Sequence, residues 1–195
     1  MSDPDLARLL QELKSCSLCA ASLPNAPRPV LQVHPQAKIL IAAQAPGRYA
    51  HAHALPFADQ SGDRLRDWLG VSREEFYDSH LFALLPMGFC YPGKGRSGDL
   101  PPRPECASRW RASLLAQLRQ VQLTLVIGQY ARRYHLPDSP GSLQQLVRNW
   151  RHYAPFVFPL PHPSPRNILW LRRNPWFAEE VLPALRERVA EVLRS

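Results

Sequence analysis

Four short apolar runs limit most strongly what this chain can become: KILIAA at 38–43, HLFALL at 80–85, LTLVI at 123–127 and FVFPL at 156–160. The first has no polar residue after Lys38, the pattern of a strand covered on both faces, and the other three have strand length. Helical patterns lie between them. Ser61 to Leu69 has amphipathic spacing, and 104–118 and 142–150 repeat the helical period. Ser72-Arg73-Glu74-Glu75 forms a capping box, with Val71 and Phe76 placed as its hydrophobic staple. This alternation predicts an α/β fold, a three-layer αβα sandwich around a central, mainly parallel four-stranded sheet. Ligands in such sheets gather beyond the carboxyl ends of the strands. Gln44, Pro86, Gly128 and His162 stand at those ends, and the first strand empties into a long Gly/Pro/His loop.

Outside the sheet pattern, Asp3 before Pro4, followed by Leu6, Leu9, Leu10 and Leu13, predicts a capped amphipathic helix leading to Cys16. The proline-rich piece from Leu23 to Pro35 reads as an ordered connector. Asn174-Pro175 opens a last helix, which Pro183 is expected to bend. A length of 195 residues suits one domain spanning 1–195 better than two. No apolar run reaches the length of a membrane span, and MSDPDLARLLQELK lacks the charged-then-apolar order of a secretion signal. The expectation is a cytoplasmic monomer without a membrane partner.

Charge narrows the partner. The chain holds 24 basic against 16 acidic residues, a net +8. Between Arg103 and Arg173 the excess is concentrated in arginines interleaved with Trp110, Tyr130, Tyr134, Trp150, Tyr153 and Trp170. Such a mixture suits phosphate contact with base stacking, so nucleic acid is favoured over an ordinary solvated basic face.

The cysteines number four, in two pairs. Cys16-Ser-Leu-Cys19 can present two sulfurs to one metal, and Cys90 and Cys106 enclose fifteen residues rich in Gly and Pro, able to fold around a bulky inorganic group. By ligand count alone, a structural zinc and a [4Fe–4S] cluster fit equally well.

In order along the chain stand Cys-x2-Cys, Gln44-Ala45-Pro46-Gly47 at the end of the first run, Cys90-x15-Cys106 after the second and His162-Pro163-Ser164 after the last. Taken together they resemble the iron–sulfur members of the uracil-DNA glycosylase superfamily, and the resemblance covers nearly the whole chain. The string His-Pro-Ser-Pro-Arg-Asn looks most like the single-strand-selective branch. By this resemblance, Cys16, Cys19, Cys90 and Cys106 are expected to hold a [4Fe–4S] cluster that staples the N-terminal helix and the long loop onto the sheet. DNA, single- or double-stranded, is the implied partner. The implied reaction is hydrolysis of the N-glycosidic bond of uracil or another damaged base after base flipping.

That reaction leaves negative charge on the departing base, and a donor held by His162 between Pro161 and Pro163 is suited to stabilise it. The resemblance assigns Gln44 and Ala45 to a loop that contacts the base, and Phe57 to stacking on it. Ser164, Arg166 and Asn167 are candidates for DNA contact, as minor-groove or stack-filling groups. His51 and His53 face the same loop. Two positions depart from the family pattern. The best-known relatives have an aspartate or asparagine where this chain has Ala45, and alanine cannot orient water. Some relatives with an alanine here use a carboxylate further along, and by that resemblance Asp59 is the candidate, with Asp63 a helix-start charge. Many relatives also read the base edge with an asparagine near the third cysteine, where Pro86 and Met87 stand. A DNA-binding protein that has lost catalysis is the alternative these departures allow, and a small electron carrier is a third.

Overall fold

The computed structural model describes residues 4–195. Asp3, the expected cap of the first helix, lies outside the described residues. Four parallel strands form the central sheet: β1 (Ile39–Ala42), β2 (Phe82–Leu84), β5 (Leu123–Ile127) and β6 (Val157–Leu160), in the order β2-β1-β5-β6. Between β2 and β5 lies a two-stranded antiparallel hairpin, β3 (Lys94–Gly95) and β4 (Gly98–Asp99), where only a loop was expected.

Successive strand residues face opposite sides, and each side is covered by its own helices. Ile39 and Ile41 pack with α3 (Gln60–Leu69), α4 (Arg73–Tyr77), α8 (Leu143–Arg148) and α10 (Leu182–Arg194), through Leu65, Trp68, Phe76, Val147 and Leu185. Leu40 packs on the other side with α1 (Pro4–Lys14), α6 (Ala112–Gln117) and the turn just before it, through Leu6, Leu13, Leu114 and Trp110. Ala42 and Val126 meet Ala131 of α7 (Gly128–His135). The expected αβα sandwich is the observed architecture.

Local corrections are few. The loop after β1 contains a short helix, α2 (Arg48–His53), and α5 (Pro104–Cys106) runs through a π-helical turn, Ala107–Arg111, into α6. Neither α7 nor α9 (Ile168–Arg173) is marked by an apolar period in the sequence. Pro183 lies in the first turn of α10, directly after a π-helical turn, Phe177–Val181, that accommodates the missing N–H. The capping box at Ser72 and Glu75 is present in both directions.

One buried charge shapes the end of β2. Arg111 is wholly buried, and its Nη1 donates to the carbonyls of Leu85 (3.0 Å) and Pro86 (2.8 Å). Its Nη2 stands 2.6 Å from His135 Nε2. A guanidinium can only donate, so that imidazole nitrogen accepts and the ring is neutral. Burial, aided by the Arg111 charge, pushes the His135 pKa down from 6.5 to about 4. Because the folded value is the lower one, the unfolded chain binds the proton first. Stability is full above the unfolded pKa and declines as pH falls from 6.5 towards 4, by on the order of 3 kcal/mol from this group. His135→Gln keeps an acceptor without a titration. Melting temperatures between pH 7 and pH 4 should therefore fall less steeply in that variant, and parallel curves would show that His135 is not the group responsible.

Candidate active site

β1 delivers the chain into Gln44-Ala45-Pro46-Gly47. The loop is tied to the segment after β2 by Met87 N–H donating to Ala43 O (2.8 Å) and Gly88 N–H donating to Gln44 O (3.0 Å). The short helix α2 follows at once. It is held at its far end by Arg28, whose Nη1 reaches the carbonyls of His51 (3.0 Å) and Ala52 (3.2 Å). His51 and His53 do not face the cavity described below. His53 is exposed and lies against Tyr49, and the His51 ring faces Tyr91.

Phe57 takes a left-handed backbone conformation, φ 54°, which costs a non-glycine residue about 1–3 kcal/mol and persists only where neighbours enforce it. Three do so. Tyr77 Oη lies 3.0 Å and Arg66 Nη1 3.4 Å from the Phe57 carbonyl oxygen, and Gly62 lets α3 sit directly on that carbonyl. A Cβ at Gly62 would collide with it. The Phe57 ring meets Phe76 edge-on. Asp59 caps α3, with Oδ1 accepting from Ser61 N–H (3.1 Å) and Gly62 N–H (3.3 Å). Asp63 stands in the first turn of α3, as expected, and also pairs with the buried Arg66 at 2.6 Å.

β6 ends directly before Pro161-His162-Pro163. Ser164 N–H donates to His162 Nδ1 (3.2 Å), which places the ring proton on Nε2. Burial holds the His162 pKa below the usual histidine value, although Asp59 pulls it the other way, so the ring is neutral at pH 7. Asn167 Nδ2 donates to the His162 carbonyl (2.7 Å), and Arg64 Nη1 to the Pro163 carbonyl (3.0 Å). Arg166, on the exposed turn beyond, donates to the Ser97 carbonyl of the β3–β4 hairpin.

These segments enclose one cavity of about 400 Å³. Gln44, Ala45, Phe57, Asp59, His162, Ser164, Arg166 and Asn167 all line it, as does Pro86. Its volume lies in the range of small-molecule sites, at the carboxyl ends of the strands. An imidazole N–H donor, an aromatic ring and an amide side chain thus converge on a space that could hold one planar heterocycle. The site also contains Asp99, from β4. In sequence only its position as an isolated acid in a Gly- and Pro-rich stretch distinguishes it. Gly62, Arg66 and Tyr77, which support Phe57, have no signal in the sequence because their role is purely tertiary.

The four cysteines converge elsewhere, on a second, small cavity that Leu13, Phe89 and Trp110 also line. None of the four is in a disulfide. Burial pushes the Cys90 pKa up and that of Cys106 up to about 12. The backbone N–H groups of Arg28 and Phe89 oppose the effect of burial by favouring the thiolates of Cys90 and Cys106, and the Arg103 guanidinium interacts with Cys19. Trp110 Nε1 is buried without an acceptor. Among the described residues, no three Cys, His, Asp or Glu side chains gather as a site for one metal ion. The thiols surround a space, and the donors and the orphaned indole N–H fit a sulfur-rich anionic group within it.

Among the described residues no helix is long and apolar enough to cross a membrane. Residues 31–186 match the uracil DNA glycosylase superfamily. That stretch contains the sheet, every residue lining the larger cavity except Val30, and the second cysteine pair, while Cys16 and Cys19 precede it. A parallel sheet whose strand ends carry Gln-Ala-Pro-Gly and His-Pro-Ser around one base-sized cavity, together with a match over most of its length, shows that the chain belongs to the uracil DNA glycosylase superfamily.

Proposed function

We propose that the protein is a DNA base-excision glycosylase that flips uracil or another deaminated base into the cavity lined by Gln44, Phe57, Asp59 and His162 and hydrolyses its bond to the sugar. One observation carries this reading. His162 from the end of β6 and Phe57 from the loop after β1, more than a hundred residues apart, line the same cavity of about 400 Å³.

The chemistry follows from the groups present. A base must leave the duplex stack to reach this depth, and Phe57 offers it a ring to stack on. As the glycosidic bond breaks, charge accumulates on the base oxygen. A neutral His162 with its proton on Nε2 supplies a preorganised donor there, already oriented by Ser164 and the flanking prolines. Ser164, Arg166 and Asn167 form the rim on the His162 side, where the DNA strand would run. Arg166 and Asn167 also brace the site through Ser97 and His162.

Cys16, Cys19, Cys90 and Cys106 are assigned to a [4Fe–4S] cluster. The resemblance of the ordered cysteine pairs to the iron–sulfur members of the superfamily favours this over zinc. When bound, the cluster would join the end of α1 to the loop between Cys90 and Cys106 as a structural clamp.

Ala45 supports a second reading, a DNA-binding protein of the same fold without catalysis. Incubating the purified protein with oligonucleotides containing uracil, hypoxanthine or xanthine, then cleaving abasic sites with hot alkali, separates the two. Strand breaks at one or more lesions are expected. Binding without breaks at any lesion would establish the second reading instead.

A further inference from the structure

Ala45 leaves the site without the usual group to prepare water, and two carboxylates line the cavity, Asp59 and Asp99. Asp59 is already engaged, with Oδ1 accepting two backbone amides as the cap of α3. The Asp99 carboxylate accepts no hydrogen bond from the described residues. It stands at the solvent-open rim, and its Oδ2 comes within 3.4 Å of where a Cβ on Gly47 would be. The carboxylate thus lies against the loop in which Ala45 stands in place of an acid.

The hairpin is built to hold it there. β3 and β4 meet through Lys94–Asp99 and Gly95–Gly98, and Arg166 from the His162 loop anchors the turn at the Ser97 carbonyl. Gly98 sits at φ 142°, a conformation that strains any L side chain, and the Arg166 guanidinium lies against it. The hairpin that lies between two of the cysteines is in this way fastened to the cavity rim.

We infer that Asp99 is the general base of the reaction, placed by the β3–β4 hairpin to take a proton from the attacking water. This inference rests on the glycosylase reading and names the residue that reading lacks. The water oxygen bonds to the sugar C1′ while Asp99 takes the water proton. The C1′–N electron pair leaves with the base, whose oxygen is held by His162 Nε2–H. The proton on Asp99 then passes to the departed base, which restores the carboxylate and leaves a free base and an abasic sugar.

Charge around Asp99 is mixed. Partial burial raises its pKa above the ordinary aspartate value, with Asp59 pushing the same way, while Arg166, Lys94 and Arg48 pull it down. Tyr91 also feels its charge. A raised value brings a general base closer to working pH.

The test compares wild type, Asp99→Asn and Asp59→Asn. It measures single-turnover excision across pH, binding to an oligonucleotide with an abasic analogue, and the melting temperature. Asp99→Asn should lose about 100-fold or more in rate and lose the part of the acid limb that follows Asp99, with binding and melting little changed. Three results would overturn the proposal in an active wild type: near-normal excision by Asp99→Asn, an unchanged acid limb in that variant, or a greater loss in Asp59→Asn. A wild type inactive on every lesion removes the glycosylase reading itself, and this proposal with it.

Discussion

Replacing His162 by alanine is expected to lower single-turnover base excision by about 10²–10³-fold, the usual effect of removing one preorganised donor from a developing oxyanion. Binding to an abasic-analogue oligonucleotide should change little, because the lost interaction is made mainly in the transition state. His162→Gln, which retains an N–H donor on a more flexible side chain, should recover part of the rate. The pH dependence has a definite sign. Ser164 N–H donates to Nδ1, so the folded ring has no place for a second proton, and burial holds its pKa below the usual histidine value. The His162 contribution should therefore be constant through neutral pH and be lost only on acidification below the ordinary histidine range. An alanine variant as fast as wild type would remove His162 from the chemistry, and a donor lost near pH 7 would show that the Ser164 bond does not fix the tautomer.

The sheet was legible because its strands are buried on both faces. A run such as Ile39-Leu40-Ile41-Ala42 needs no partner information to be recognised, and the four predicted runs lie within about two residues of the observed strands at either end. Strand ends then located the site, which is why Gln44 and His162 could be named before their proximity was known. What escaped detection depends on contacts distant in sequence. Arg48–His53 lacks an apolar period, and its last turn is held by Arg28 from the connector. Gly128–His135 buries only Gly128 and Ala131, too few to mark a periodic face. The family resemblance points to Phe57, but its left-handed backbone depends on Arg66, Tyr77 and Gly62, none of which looks unusual in a helix or at its end. Asp99 is the clearest case. Its role follows from a hairpin pinned by Arg166 across 69 residues of chain. Asp59, the acid chosen from sequence, is in the cavity but partly committed to capping α3.

Cys106→Ser is expected to have the largest effect on the folded state, because this residue lies where three parts of the molecule meet. It is buried beside Leu13 of α1, Phe89 of the loop after β2 and Trp110 of the π-helical turn, within the core that joins α1 and α6 to the sheet. With its pKa raised to about 12, the thiol would stay neutral at pH 7 without a metal. A bound metal group must therefore displace the proton and supply the charge that the neighbouring N–H donors satisfy. Protein purified without oxygen should be brown, with absorption at about 400 nm and bound iron and sulfide. The Ser variant should lose that absorption and be destabilised by on the order of 3–5 kcal/mol, or fail to fold. Ser17→Ala, at an exposed position between the first two cysteines, should keep both colour and stability. Excision by any soluble Cys106→Ser should also fall, since the loop that loses its clamp carries Asp99 to the cavity rim. A colourless wild type with stoichiometric zinc would assign the site to zinc. A brown Cys106→Ser variant with wild-type stability would remove Cys106 from the ligand set.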